Sequence, residues 1–105
     1  MKLIIKKSDK PNKEYLALFK EGSKVVKKTY FGDPVLSQYT SNKRPLVTEQ
    51  QRQNYLSRHR RDLDTEDSTR AGYLSYGLLW SGFSTPPSRS IRKNIKDYKE
   101  RFNYE

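Results

Sequence analysis

Apolar and polar positions alternate along the first third of the chain and recur at helical spacing along the rest. Lys2 to Lys7 centres on Leu3-Ile4-Ile5, two of the three β-branched, which predicts a strand. Asp9-Lys10-Pro11-Asn12-Lys13 predicts a chain reversal, because Pro11 presets φ and Asn12 tolerates left-handed backbone. Glu14 to Lys20 predicts a second strand, with Tyr15, Ala17 and Phe19 on one face and Leu16 and Leu18 on the other. Both faces are apolar, so this strand is expected to be central and packed on at least one side. Glu21-Gly22-Ser23 is expected to form a hairpin loop, and Lys24 to Phe31 a third strand ended by Gly32-Asp33-Pro34. Residues 1–34 are therefore expected to form an antiparallel three-stranded β-meander.

Residues 35–47 predict a polar connector. Thr48 and Gln51 match a capping box, which predicts a helix over 48–61. Its stripe of Arg52, Tyr55, Leu56 and His59 is thin, so the helix is expected to be solvated or to face a partner. Asp62 to Asp67 predicts a solvated acidic linker. A second helix over 69–80, capped by Ser68 or Thr69, carries Ala71, Leu74 and Leu78 as a ridge. Tyr73, Tyr76, Leu79 and Trp80 widen that apolar surface. Residues 81–87 predict a loop, and Ser88 or Ser90 caps a last helix over 90–103 with Ile91, Ile95, Tyr98 and Phe102 in one stripe. Arg92, Lys93, Lys96, Lys99 and Arg101 occupy its other face. The expected fold is a single α+β domain over 1–105, a β-meander followed by three α-helices. Its expected core joins Leu74, Leu78, Trp80, Ile91, Ile95 and Phe102 to Leu3, Ile5, Leu16, Leu18 and Val26.

A chain of 105 residues fits one domain. Leu, Ile, Val and Phe supply 22 residues, close to the ~20% below which a highly charged chain stays disordered. Eight Tyr and one Trp shift the balance toward folding, since each aromatic buries a large area. A modest core is left, which a partner can complete. The formal net charge is +10, with Lys dominating the basic residues of 1–47 and Arg those of 48–105. Such a surplus attracts polyanions. The absence of Cys excludes disulfides, thiolate zinc sites and a Cys nucleophile, and a single His excludes a His-rich metal site. No apolar run approaches the ~20 residues of a membrane-spanning helix, and no secretory signal is expected.

The polyanion-binding candidates are Arg52, Arg58, His59, Arg60 and Arg61 on the first helix, with Lys24, Lys27 and Lys28 on the sheet. Guanidiniums grip phosphates bidentately. The competing account of Arg58 to Arg61 is that cations complement a helix C-terminus and are neutralised by the acidic run that follows. Around the sheet, Lys6, Lys7, Lys10 and Lys13 join the set, and Tyr15, Phe19 and Tyr30 could stack bases. Edge lysines also block aggregation, and aromatics in strands are more simply core. The Asp62 run does not fit a calcium loop: Asp67 stands where Gly is needed and Tyr73 where Glu is needed. His59 lacks a Ser-His-Asp setting, and the five Gly are scattered singly rather than forming a phosphate loop. No catalytic residue, metal site, cofactor or small-molecule substrate is assigned, and the protein is expected to be non-enzymatic.

The order of several motifs resembles a family of small basic proteins, filed as a domain of unknown function, from large nucleocytoplasmic DNA viruses of algae and amoebae. The motifs are the opening Met1 to Ser8, Tyr30-Phe31-Gly32, Tyr39-Thr40, Tyr55-x-x-Arg58-His59, Thr69-Arg70-Ala71-Gly72 running to Leu78-Leu79-Trp80, and Ile91…Ile95…Phe102. The chain departs from the family pattern at Gln38, at Asn42-Lys43 and within Asp62 to Asp67. The resemblance implies a structural component of a large DNA virus particle, a minor capsid or internal virion protein with a polyanion-facing surface. Its partners would be other virion proteins, DNA or RNA, in the virion or in the cytoplasm or nucleus of the infected cell. The alternative is a nucleic-acid-binding protein that contacts phosphates without sequence specificity.

Overall fold

The computed structural model describes all 105 residues. Strands β1 (Lys2–Lys7), β2 (Tyr15–Glu21) and β3 (Lys24–Phe31) form an antiparallel sheet in the order β1-β2-β3. The predicted meander is present, and β2 is central as its two apolar faces require. Leu3 faces Phe19, Ile5 faces Ala17, and Tyr15 faces Phe31 across the ladders. Helices follow: α1 (Glu49–Arg58), a 3-10 turn (Arg60–Thr65), α2 (Ala71–Leu74) continuing into a π-helical stretch (Ser75–Leu79), and α3 (Ile91–Phe102). No helix is long and apolar enough to cross a membrane.

Alternation in β2 offers two rows to the core, and the row of Tyr15, Ala17 and Phe19 takes it. Phe19 is fully buried among Leu3, Ala17, Phe31, Leu74, Leu78, Leu79 and Tyr98. Ala17 leaves room for the helical layer, while Phe19 fills the gap beside it. Of the three other residues expected in the core, Leu16 is buried, though on the opposite face of the sheet, Leu18 beside it is half-buried, and Val26 is 48% exposed. On the helical side, Tyr98 stands at the centre of a ring cluster with Phe83, Phe102 and Tyr104. Gly77 permits that approach: a Cβ there would lie 2.7 Å from both the Phe83 and Tyr98 rings. After α3 the backbone returns to the free edge of β1, where Leu3 N–H donates to Glu105 O at 2.9 Å and Glu105 N–H to Met1 O at 3.0 Å.

Several boundaries differ from the sequence expectation. Helix α1 ends at Arg58 rather than Arg61. The chain then winds into the 3-10 turn, so Asp62 to Asp67 is not a solvated linker. Leu63 drives this: it packs against the core, and its carbonyl accepts from the Tyr73 hydroxyl at 2.8 Å. Neither Ser68 nor Thr69 caps the second helix, which begins at Ala71. Asp67 organises that entry by accepting from Thr69 N–H at 3.0 Å and Thr69 Oγ1 at 2.6 Å. The 35–47 connector docks rather than floats, with Gln38, Tyr39 and Val47 buried. Arg89 covers the Tyr39 ring at 4.2 Å.

The π-helical stretch ends inside the protein, where water cannot satisfy its last carbonyls. Leu78 O accepts from Asn94 Nδ2 at 3.1 Å, and Leu79 O from Thr40 N–H at 3.2 Å. Arg52 supplies Nε to Trp80 O at 2.9 Å and a terminal guanidinium N–H to Ser81 O at 2.8 Å. Ser81 itself is fully buried in left-handed backbone at φ 55°. Its hydroxyl donates to Asn94 Oδ1 and accepts from Ser88 N–H. Asn94, 1% exposed, thus binds the end of the π-helical stretch, Ser84 and the entry to α3 at once.

Asn94→Ala strands these carbonyls and hydroxyls and is expected to cost about 2–4 kcal/mol, read as a lower urea midpoint at unchanged slope. Asp97 gives a pH test beside the same network. The Lys93 ammonium and then the Ser84 hydroxyl, both bonded to it, hold its carboxyl below the ordinary range. Its contribution is complete above the unfolded value near 4 and is lost as pH falls through the lower folded value. The thermal midpoint is expected to drop on acidification in that window, and Asp97→Asn to flatten the drop.

Candidate polyanion-binding site

Helix α1 starts as its sequence dictates: Thr48 Oγ1 accepts from Gln51 N–H, and Gln51 Oε1 accepts from Thr48 N–H. Its spacing brings Arg52, Tyr55 and His59 to one side, and that side turns inward. Arg52 is 6% exposed and is used up by Glu49, Trp80 O and Ser81 O. This corrects its placement among the polyanion candidates: a buried helix end takes its guanidinium as its cap. Tyr55 stacks on Trp80 at 4.0 Å with the rings 4° from parallel, and on its other side meets His59 at 4.1 Å. Burial, with the neighbouring Asp62 carboxylate adding to it, pushes the Tyr55 phenol up to about 12. His59 Nδ1 lies 3.1 Å from Asp62 Oδ2, which orients the imidazole. No hydroxyl is bonded to the other ring nitrogen, so the pair forms no nucleophilic triad.

Arg58, Arg60 and Arg61 point the other way. All three are exposed, and none has a carboxylate within 4.0 Å. With Ser57 and Asp64 they line one shallow depression. The acidic run was expected to neutralise them, but its ends are engaged elsewhere. Asp62 turns to His59 and Asp67 to Thr69. Arg58 also borders a cleft of about 520 Å3 between the end of β3 and α1, whose wall includes Trp80, Tyr55, His59 and Asp33.

The lysine candidates are not brought to this site. Lys24 and Lys28 are exposed on the sheet, while Lys27 Nζ donates to Thr69 Oγ1 at 2.7 Å and approaches Asp67 at 4.0 Å. The base-stacking reading of the sheet fails at two of its three rings. Phe19 is core, and Tyr15 stacks on Phe31 at 5.6 Å on the core side. Tyr30 is tied by its hydroxyl to Asp9 at 2.7 Å and covered by Lys10 at 4.2 Å. The Trp80–Tyr55–His59 stack and its cleft were absent from the sequence reading. The i, i+4 spacing of Tyr55 and His59 signals half of the stack, but Trp80 is remote in sequence.

Comparison with protein-family models, curated proteins and solved structures returns no match.

Arg52→Ala separates the buried arginine from the exposed three. It is expected to cost about 3 kcal/mol of stability. Arg58→Ala should move the denaturation midpoint little, since its side chain holds no partner carboxylate. Paired urea titrations of the two variants check this.

Proposed function

We propose that this is a non-enzymatic nucleic-acid-binding protein that holds phosphates on Arg58, Arg60 and Arg61, and that it serves inside a large DNA virus particle. One observation carries the first part: three neighbouring guanidiniums stand exposed, share one depression and lack a carboxylate partner. Unpaired arginines on a chain of net charge +10 attract a polyanion and grip it bidentately. Cations at the C-terminus of α1 are also favoured by the helix dipole. That accounts for Arg58 in the last turn, but Arg60 and Arg61 lie beyond the helix, in the 3-10 turn. The adjoining cleft, of about 520 Å3, has the volume to receive an unpaired base beside Arg58, which favours single strands over duplex. The second part rests on the resemblance of motif order described above, and mass spectrometry of purified particles tests it. Protein retained with the genome after the outer shell is stripped supports it, and absence from particles removes it.

The phosphate reading predicts a salt-dependent affinity measured by anisotropy of a labelled oligothymidylate. The log–log slope should fall by about 2 when Arg58, Arg60 and Arg61 are all replaced by Ala, at ~0.7 per single-strand phosphate released. Affinity should weaken alike for every sequence tested. Unchanged affinity and slope in the triple variant would sink this assignment.

A further inference from the structure

The outer face of the sheet is the largest feature that the reading above leaves unused. All the helical elements lie against the other face. Register places three rows on it: Lys2, Lys20 and Val25; Ile4, Leu18 and Lys28; Lys6, Leu16 and Tyr30. Its middle is therefore aliphatic: Ile4 and Leu18 are half-buried beside a buried Leu16, and Val25, 39% exposed, stands at one end. Lys2, Lys6, Lys20 and Lys28 surround that middle. Asp9 is the acid that reaches the face, and the Tyr30 hydroxyl takes it. No helix or further strand packs on this face, whereas sheets with apolar residues on both faces are ordinarily covered on both by such elements.

We propose that this face docks an acidic amphipathic helix of a partner protein, its apolar stripe on Ile4, Leu18 and Val25 and its carboxylates on the four lysines. Charge selects among the possible occupants. A second copy would set the same four lysines against each other, on chains of net charge +10. Nucleic acid would meet the lysines, but bases need aromatic faces, and the one ring here already carries Lys10. An acidic helix satisfies both the aliphatic middle and the cationic rim. The face lies across the sheet from Arg58, Arg60 and Arg61, so the protein would hold a protein partner on one side and a polyanion on the other.

The test is a titration of the isotopically labelled full chain, followed by NMR, with a synthetic helix of about 18 residues carrying Leu on one face and Glu on its flanks. The amide signals of Ile4, Leu16, Leu18 and Lys28 are expected to shift. A charge-inverted Leu/Lys peptide is expected to leave them in place. Lys6→Glu with Lys28→Glu should weaken the Leu/Glu peptide about tenfold. Circular dichroism checks that the double variant folds, and wild-type protein in about 1 M sodium chloride should show weakening without any substitution. The proposal is overturned if no sheet residue responds, or if shifts are confined to residues 58–61. It is equally overturned if oligothymidylate moves the sheet residues at lower concentration than the peptide does, or if sedimentation shows dimers joined through this face. The Arg58, Arg60 and Arg61 triple variant should bind the peptide unchanged, which keeps this outcome separate from that of the phosphate reading.

Discussion

The helical layer depends on how the buried end of the π-helical stretch is satisfied. A helix that stops in water leaves its last carbonyls to solvent, whereas one that stops in a core must be given donors. Here the donors come from three distant places: Arg52 on α1, Asn94 on α3 and the Thr40 backbone of the docked connector. Each is tied to this one turn, so it locates all three segments relative to the sheet. The left-handed Ser81 is tolerated because its backbone oxygen and hydroxyl are all engaged there. No buried side-chain nitrogen or oxygen is left without a partner.

This constraint also shapes the basic surface. Because Arg52 is drawn inward, α1 is fixed in rotation, and the stack of Tyr55 on Trp80 reinforces that orientation. Arg58 then projects outward at the last turn. The chain turns at His59 and winds on so that Leu63 reaches the core, which carries Arg60 and Arg61 to the same rim. Two of the acidic residues that follow are engaged locally, Asp62 with His59 and Asp67 at the entry of α2, while Asp64 borders the same depression without an ion pair to any of the three arginines.

The sheet divides the molecule into two unlike sides. Its inner face is closed by large rings and leucines, and α3 is brought within reach by the missing side chain of Gly77. Its outer face is aliphatic at the middle and lysine-rich around it. A core of this size gains little from any single contact, and stability near the usual ~0.1 kcal/mol per residue makes each buried polar partner count.

Much of the architecture was legible in the chain. Short apolar, β-rich runs bounded by turn residues located three strands, the capping box located the start of α1, and the Ile91–Phe102 stripe behind Ser88 or Ser90 located α3. These are local signals, set by backbone preference and by periodicity within a few residues. Where two apolar rows compete for one helical layer, periodicity is silent: it placed Leu16 and Leu18 on the face opposite Phe19 but did not decide which of the two faces the helices would cover. The arginines show the same division. Composition and spacing identified Arg52, Arg58, Arg60 and Arg61 as a single basic group, since a charge in a sequence looks the same whether buried or free. Only the packed chain, with the carbonyls of Trp80 and Ser81 turned toward α1, decided that Arg52 would be held inside and the other three left at the surface.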